Sequence, residues 1–387
     1  MSFFGQVLRV SCSIKAVCIQ VREGVTKGSQ KASVVYGLGS CGRVKILILK
    51  PSSLGDIIHA LPVLRLLRLE FPEAQIDWWI LRGLMPLLEG DPDLRRLVPF
   101  DRKDWAKPRH WPSVFRLVRQ LRSERYDWIL DLQGLARSAL FGRACASAGT
   151  RYVGVRDWRE LAPLFQGESV PRPSPQAHAV DWQRALLTHL GVPLRTGWEW
   201  IPRRLAAAER LKQEFAELNQ GRWMGLQPGA RWDNKRWPVA RFVELIGLLS
   251  RSHPGHRIAI FGGPDDLALG RALALADPRR CLDLTGRLTL PGMIEALRCV
   301  DLLVTNDTGP MHVAAALGKP VVAVFGPTDP SRTGPYGQVE FVLRAPQPPA
   351  CAPCLKPVCR YSEPLACLNR ITAAQVAVAV AGRLAAE

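Results

Sequence analysis

The chain has 387 residues, a formal net charge of +18 at pH 7 and an apolar content of 47%, which is ordinary for a globular protein. The length is sufficient for two domains with sizeable cores. The sequence contains neither a nucleic-acid-binding motif nor an apolar run near the ~20 residues of a membrane-spanning helix. The charge therefore favours an acidic substrate or an anionic lipid surface as partner, and not nucleic acid.

Residues 1–43 contain scattered Gly, Ser, Lys and Cys with no sustained period, and we predict a weakly ordered N-terminal extension there. Arg9 and Lys15 interrupt its apolar residues, which makes it a poor signal peptide. Ten cysteines in a chain of this length do not form a disulfide scaffold. These features predict a soluble cytoplasmic protein.

The fold is predicted to begin with a strand at 45–50, followed by a small-residue turn and a helix that Pro62 kinks or restarts. Asp56 lies at this turn. It is either the N-cap of the helix or a side chain that projects from the carboxyl end of the first parallel strand. Ligands bind at that edge of open α/β sheets.

The remainder of residues 44–195 alternates between strand and helix patterns, which predicts a doubly wound parallel sheet. The predicted strands lie at 75–81, 126–132 and 151–155, and the helical periods lie near 62–70, 112–124, 135–147 and 177–190. Gln133 and Arg137 follow the end of a strand, so they could face the same cleft as Asp56.

Residues 101–125 carry eight Lys or Arg residues against three Asp or Glu residues, interleaved with Trp105, Trp111 and Phe115. One interpretation is a solvated helix face whose arginine stems cover apolar surface. The other is a basic surface for an acceptor, because arginine forks match phosphate and carboxylate groups.

Pro193, Gly197 and Pro202 interrupt the pattern and mark a domain boundary. A second α/β domain is predicted over 205–370, with a C-terminal helix in 371–387. Its predicted strands are 223–227, 257–261, 281–285, 301–305, 320–325 and 339–343. Its predicted helices, the last of them the C-terminal helix, are 203–218, 239–252, 265–276, 291–299, 310–317 and 372–385.

The segment from Val304 to Gly318 leads from a buried strand into a helix N-terminus. Asp307 and Thr308 offer capping oxygens, Gly309 permits close approach to the backbone, and His312 lies in the first turn. Free N–H groups and the helix dipole make such a junction an anion site. The alternative is a well-capped strand–helix junction with no ligand.

Two further segments carry groups that could bind ligands. The glycine-containing loop at 225–238 carries Arg231 and Lys235, and cations beside an approachable backbone suit a diphosphate. Four cysteines lie within 17 positions, and they could bind zinc or an iron–sulfur cluster, or could be reduced structural thiols or a redox-labile loop. These are Cys351, Cys354, Cys359 and Cys367.

Three separated motifs resemble the ADP-heptose:lipopolysaccharide heptosyltransferase family: Lys-Pro-Ser-Ser-Leu-Gly-Asp at 50–56, Pro-Gly-Ala at 228–230 with Lys-Arg-Trp-Pro at 235–238, and Thr-Asn-Asp-Thr-Gly-Pro-Met-His at 305–312. The resemblance extends over about residues 44–385. It implies a GT-B fold of two Rossmann-like domains that face a central cleft. The N-terminal domain would bind the acceptor and the C-terminal domain the sugar nucleotide.

The resemblance also implies roles for several site residues. Asp56 matches the catalytic base, and Lys235, Asp307, Thr308, Gly309 and His312 match positions around the donor nucleotide and its diphosphate. From its place in the loop at 225–238, Arg231 is predicted to bind the same diphosphate, and Ser53, Gln133 and Arg137 are predicted to bind the acceptor. No Asp-x-Asp motif stands at a strand end, which favours a metal-independent, inverting transfer of heptose from ADP-heptose with no cofactor.

The implied acceptor is an anionic lipid-linked saccharide, either Kdo-lipid A or its heptosylated form. The first half is more similar to the enzyme that adds the first heptose, and the second half to the enzyme that adds the second. The expected protein is a monomer in peripheral contact with the cytoplasmic face of the inner membrane. Two alternatives remain, a sugar-nucleotide epimerase or hydrolase and a non-catalytic nucleotide-sensing or lipid-binding module.

Overall fold

The computed structural model describes residues 43–158 and 160–385. Residues 1–42 of the predicted N-terminal extension lie outside the described residues. In the described part of the chain, no helix is both long and apolar enough to cross a bilayer.

The first half of the chain forms a six-stranded parallel sheet in the order β3-β2-β1-β4-β5-β6. Its strands are β1 (Lys45–Leu49), β2 (Gln75–Leu81), β3 (Arg96–Phe100), β4 (Trp128–Asp131), β5 (Arg151–Val155) and β6 (Glu168–Val170). Its helices are α1 (Leu54–Glu70), α2 (Arg102–Trp105), α3 (Trp111–Ser123), α4 (Ala136–Cys145) and α5 (Ala179–His189).

The second half repeats this architecture in the order β12-β11-β10-β7-β8-β9. Its strands are β7 (Arg222–Gln227), β8 (His256–Ile260), β9 (Cys281–Asp283), β10 (Leu302–Asn306), β11 (Val321–Val324) and β12 (Val342–Leu343). Its helices are α6 (Leu205–Glu214), α7 (Val239–Ser252), α8 (Leu267–Ala274), α9 (Leu290–Cys299), α10 (Gly309–Ala316), α11 (Pro330–Thr333), α12 (Ala366–Asn369) and α13 (Ala373–Ala385). The predicted α/β class with two doubly wound parallel sheets is confirmed.

The central strands are continuous apolar runs because helices cover both faces of each sheet. In β1, residues 46–49 are fully buried, and so are residues 302–304 of β10. Leu49 pairs with Asp131 of β4, and Thr305 of β10 pairs with Gln227 of β7. The loops that follow these paired strands therefore emerge side by side at the carboxyl edge of each sheet.

Several details differ from the sequence prediction. The edge strands β3, which contains Pro99, and β6, which has three residues, were not predicted. Of the predicted strand at 339–343, only Val342–Leu343 forms a strand, and Val339–Phe341 is a short 3-10 helix. Helix α1 does not restart at Pro62 but runs unbroken through it. One proline removes a single N–H donor, and the hydrogen bonds on either side of it maintain the helix.

Helix α1 joins the two halves, because it packs against α5 of its own half and against α10 of the other. The largest core cluster accordingly includes Ile57 and Leu61 from α1 together with Met311 and Ala314 from α10. This helix pair brings the carboxyl edges of the two sheets toward a common cleft.

Candidate functional site

Asp56 lies in the first turn of α1, directly after the end of β1. Its Oδ2 accepts hydrogen bonds from the Ser53 backbone N–H at 2.8 Å and from the Ser53 hydroxyl at 2.7 Å. Ser53 is the N-cap of the helix, so the interpretation of Asp56 as the N-cap is wrong. The Asp56 side chain is 44% exposed and reaches solvent in the cleft.

Lys50 lies beneath this carboxylate and was not among the predicted site residues. Its buried Nζ donates to the Leu132 carbonyl at 2.9 Å and lies 3.8 Å from Asp56 Oδ1. Burial raises the pKa of Asp56, but the charge of Lys50 and the Ser53 hydrogen bonds outweigh it, and the pKa lies below its ordinary value. The available sequence signal was a lysine directly after the apolar run at 46–49.

The loop after β4 contributes Gln133 beside this site. The Gln133 backbone N–H donates to Asp131 Oδ1 at 3.0 Å, while its side-chain Oε1 is buried without a partner among the described residues. Arg137 is exposed on α4 and lies 5.7 Å from the centre of the Phe100 ring. Gln133 is therefore next to Leu132, which Lys50 contacts, whereas Arg137 lies further along the surface.

In the second half of the chain, the site is built around Asp307, directly after β10. Its Oδ2 lies 2.6 Å from Lys235 Nζ and accepts a hydrogen bond from the Thr328 hydroxyl at 2.6 Å. Lys235 Nζ also lies 4.8 Å from the centre of the Trp232 ring. The structure thus brings together the loops that follow three neighbouring strands, β7, β10 and β11.

Thr308 is the N-cap of α10, and its side chain makes no capping hydrogen bond within the described chain. Gly309 begins the helix, where the first N–H groups have no partner inside the helix. A Cβ atom at position 309 would lie 2.8 Å from a methyl carbon of Leu54, so the two helix starts approach closely. Arg231 is exposed in the loop after β7.

Asn306 holds the loop between Pro228 and Trp237 through two hydrogen bonds. It was not among the predicted site residues. Its buried side chain accepts from the Trp237 backbone N–H at 3.1 Å and donates to the Pro228 carbonyl at 2.7 Å. Both ends of the segment that carries Arg231 and Lys235 are therefore held by one amide at the end of β10.

His312 lies in the first turn of α10, between the two halves. Its Nδ1 lies 3.0 Å from His59 Nε2, and its ring packs against Gly55. Burial lowers the pKa of His312 to about 4, although the charges of Asp307 and Asp56 act in the opposite direction. His312 is therefore a neutral imidazole that interacts electrostatically with both Asp56 and Asp307.

The four cysteines at 351–367 are free thiols, with Cys351 exposed and the other three partly buried. Burial and the neighbouring thiols raise the pKa of Cys367. Nowhere in 43–158 or 160–385 do three or more His, Cys, Asp or Glu side chains form a group that could hold a metal ion. The segment is bonded to the loops that follow β7 and β11, because Asn234 Nδ2 donates to the Lys356 carbonyl at 2.7 Å and the Leu355 N–H donates to the Pro327 carbonyl at 2.8 Å.

Comparison with known proteins identifies the family of the chain. Residues 114–364 match the family model described as glycosyltransferase family 9 (heptosyltransferase). The chain is 31% identical to lipopolysaccharide heptosyltransferase 1 of Pseudomonas aeruginosa over 326 residues, which cover 82% of this chain and 88% of that protein. It is also 31% identical to the Escherichia coli K12 protein of the same name over 316 residues, which cover 79% of this chain and 94% of that protein.

Solved structures show the same architecture. The structure of E. coli heptosyltransferase WaaC with ADP aligns with a TM-score of 0.68 and 27% identity, over 88% of this chain and 100% of that one. A family 9 glycosyltransferase from Veillonella parvula aligns with a TM-score of 0.75 and 24% identity, over 90% and 99%. The fold is therefore GT-B, and the chain belongs to glycosyltransferase family 9, the heptosyltransferases.

Proposed function

We propose that the protein transfers heptose from ADP-heptose to the inner core of lipopolysaccharide, with Kdo-lipid A or its heptosylated form as the acceptor. One observation carries the proposal: the anchored carboxylate of Asp56 and the Lys235–Asp307 ion pair at the start of α10 both act on the buried His312, which packs against Gly55. The names of the relatives, and the ADP in the WaaC structure, support the choice of donor and product.

In the proposed reaction, Asp56 is the general base. It accepts the proton of the acceptor hydroxyl while that oxygen attacks the anomeric carbon of the heptose. The bond from this carbon to the diphosphate breaks, and its electrons pass to the departing phosphate oxygen. Attack from the Asp56 wall, opposite the donor wall, inverts the anomeric centre.

Negative charge collects on the diphosphate as it leaves. We propose that Lys235, Arg231 and the N-terminus of α10 stabilise this charge, with Thr308, Gly309 and His312 as further contacts. Asp307 holds Lys235 in position through their ion pair. In this mechanism the protein's own cations perform the neutralisation, and neither a metal nor another cofactor has a role.

We propose that residues 44–195 bind the acceptor and residues 205–370 the nucleotide, on the cytoplasmic face of the inner membrane. Helices α3 and α4 present exposed apolar side chains at Trp111, Phe115 and Leu140. Exposed arginines, among them Arg116, Arg119 and Arg143, surround them. A surface that combines aromatic and cationic side chains suits an anionic bilayer. We refer to it as the apolar-basic surface.

The decisive experiment incubates the purified protein with ADP-heptose and either Kdo-lipid A or its heptosylated form, followed by mass measurement of the lipid. A gain of one heptose on one acceptor supports the proposal. Consumption of ADP-heptose without any acceptor would instead indicate a hydrolase or an epimerase. Binding of ADP-heptose with no turnover on either lipid would indicate a non-catalytic module.

A further inference from the structure

A buried pair of histidines joins α1 to α10. His59 Nε2 and His312 Nδ1 lie 3.0 Å apart, and the two rings meet edge to face with their centres 4.3 Å apart. His59 is 3% exposed and His312 is 8% exposed. One proton must lie between the two nitrogens for this contact to be a hydrogen bond. The ring that donates this proton determines the tautomer of both histidines.

The surroundings of His59 identify it as the donor. Its second nitrogen, Nδ1, is buried and has no hydrogen-bond partner among the described residues. A neutral imidazole carries one N–H, and a buried N–H without an acceptor is rarer than a buried lone pair without a donor. The proton of His59 therefore lies on Nε2, which donates to His312 Nδ1.

The third histidine of this cluster does not change the assignment. The His178 ring lies 5.0 Å from that of His59, but its nitrogens are otherwise engaged. Nδ1 accepts from the Val180 backbone N–H at 3.2 Å, and Nε2 lies 3.0 Å from the Gly334 carbonyl. His178 thus packs against His59 without supplying a hydrogen bond to it.

This assignment determines which nitrogen of His312 carries its proton. Since its Nδ1 accepts the hydrogen bond, its own proton lies on Nε2, the edge that faces the first turn of α1 at Gly55. The charges of Asp56, the proposed base, and of Asp307, beside the proposed diphosphate site, both act on this ring. The N–H therefore lies near both groups, at the contact between the starts of α1 and α10.

We infer that His59 is a positioning residue, which holds His312 in the Nε2–H form so that it donates a hydrogen bond to an anionic oxygen in the cleft. The inference rests on the proposed function, in which that oxygen belongs to the departing diphosphate. Without His59, the His312 proton can move to Nδ1, and a lone pair then faces the phosphate oxygens. Donation to the leaving group would be lost although His312 itself is unchanged.

The first test is spectroscopic and requires no substrate. Protein labelled with ¹⁵N-histidine is examined by NMR at neutral pH, with the His312 signals assigned by loss in a His312→Gln variant. We expect Nε2 to carry the proton in the native protein. A native His312 protonated on Nδ1 would overturn the inference, whatever the enzyme's substrate proves to be.

The second test uses two amides of different reach. In His59→Gln the side-chain amide can replace Nε2–H and donate to His312, whereas in His59→Asn the same group ends one bond earlier. We expect the Asn variant to lose roughly ten-fold in kcat, less than the ~100-fold or more for removing a direct donor to a developing anion. The Gln variant should remain near the native rate. Equal rates for the two folded variants would contradict the positioning role.

The two tests separate this inference from the function. Failure of the native protein to transfer heptose would remove the proposed function while the NMR assignment stands. Native transfer with a wrong tautomer, or with no difference between Gln and Asn, would remove the positioning role alone.

Discussion

The backbone of Gly55 lies so close to His312 that a Cβ atom at position 55 would be 2.8 Å from Nε2 and nearer still to Cδ2. Gly55 belongs to the N-terminal half of the chain and His312 to the C-terminal half. The contact between the two walls of the cleft therefore depends on the absence of a single methyl group.

Gly55→Ala should destabilise the protein by about 1–3 kcal/mol, the usual cost of an extra group in a packed interior. Gly382→Ala in α13 is the matched control. There a Cβ would meet no heavy atom within 4 Å, so the variant should be stabilised by about 0.5–1 kcal/mol through helix propensity. Denaturant unfolding measures both changes. Equal changes in stability for the two variants would show that the structure around Gly55 accommodates the added methyl group without loss of stability.

Asp56→Asn should lower kcat by about 10²–10⁴-fold and leave ADP-heptose binding nearly unchanged, because the amide cannot accept the acceptor's proton. Turnover assays and calorimetric titration with ADP-heptose measure the two quantities. Full turnover in this variant would exclude Asp56 as the base.

The pH profile tests the same residue independently. Because the pKa of Asp56 lies below its ordinary 3.8, the base is ionised above that pH and is lost only as the pH falls through the lowered value. The acid limb of kcat/KM should accordingly lie below pH 3.8. A limb in the neutral range would indicate that another group is the base.

Stability should fall on acidification between pH 6.5 and about 4, the interval between the ordinary and the native pKa of His312. In this window the unfolded chain binds a proton that the folded chain does not, so unfolding is favoured as the pH falls. A tenfold difference in proton affinity between the two states corresponds to about 1.4 kcal/mol. Burial lowers the pKa of His59 and His178 in the same sense.

The charged side chains that act on His312 are Asp56, Asp307 and Lys235, and Lys50 acts on His59. Urea unfolding at several pH values gives the free energy of unfolding as a function of pH. Between pH 6.5 and about 4, this free energy should fall less steeply in His312→Gln than in the native protein. The same slope in both proteins would rule out His312 as the source.

Lys235→Met should destabilise the protein by on the order of 3 kcal/mol, because Asp307 is 7% exposed and would lose its cation. Adding Asp307→Asn should restore most of this stability by removing the stranded charge. It should not restore ADP-heptose affinity, which in our proposal depends on the lysine. Recovery of affinity in the double variant would contradict that role.

Phe115→Glu should reduce binding to vesicles that contain phosphatidylglycerol by roughly ten-fold, through loss of an apolar contact. Leu275→Glu is the matched control, since Leu275 is 71% exposed and Phe115 68%, and Leu275 lies at the C-terminal end of α8, outside the apolar-basic surface. Co-sedimentation with these vesicles and with neutral phosphatidylcholine vesicles measures the effect. Equal losses in both variants would mean that the apolar-basic surface is not the docking site.

The sequence was informative where one local pattern decided the outcome. Apolar runs such as 46–49 identified the central strands, and the alternation with helices identified a parallel sheet. The edge strands β3 and β6 of the first sheet were missed, whereas β9 and β12 at the edges of the second sheet were predicted. Pro99 interrupts the pattern in β3, and β6 is defined by its pairing with β5, which a local pattern does not contain.

The site divides in the same manner. The positions after strand ends predicted the place of Asp56 and Asp307, since parallel strands share a carboxyl edge. Lys50, His59, Asn306 and Thr328 act through partners far away in the chain, such as Leu132 for Lys50 and Asp307 for Thr328. Their importance comes from packing and not from spacing, so it emerges only from the assembled structure.

In the proposed function, the amide of Asn306 has a consequence for how the nucleotide binds. Because it bonds to Trp237 and to Pro228 before any ligand arrives, the backbone between them is already preorganised. Loss of conformational entropy in a flexible loop is a major cost of association, and this loop avoids much of it. Capture of ADP-heptose should then require side-chain adjustment alone, chiefly of the exposed Arg231, and amide hydrogen exchange over 228–237 should change little between the free and the ADP-bound protein.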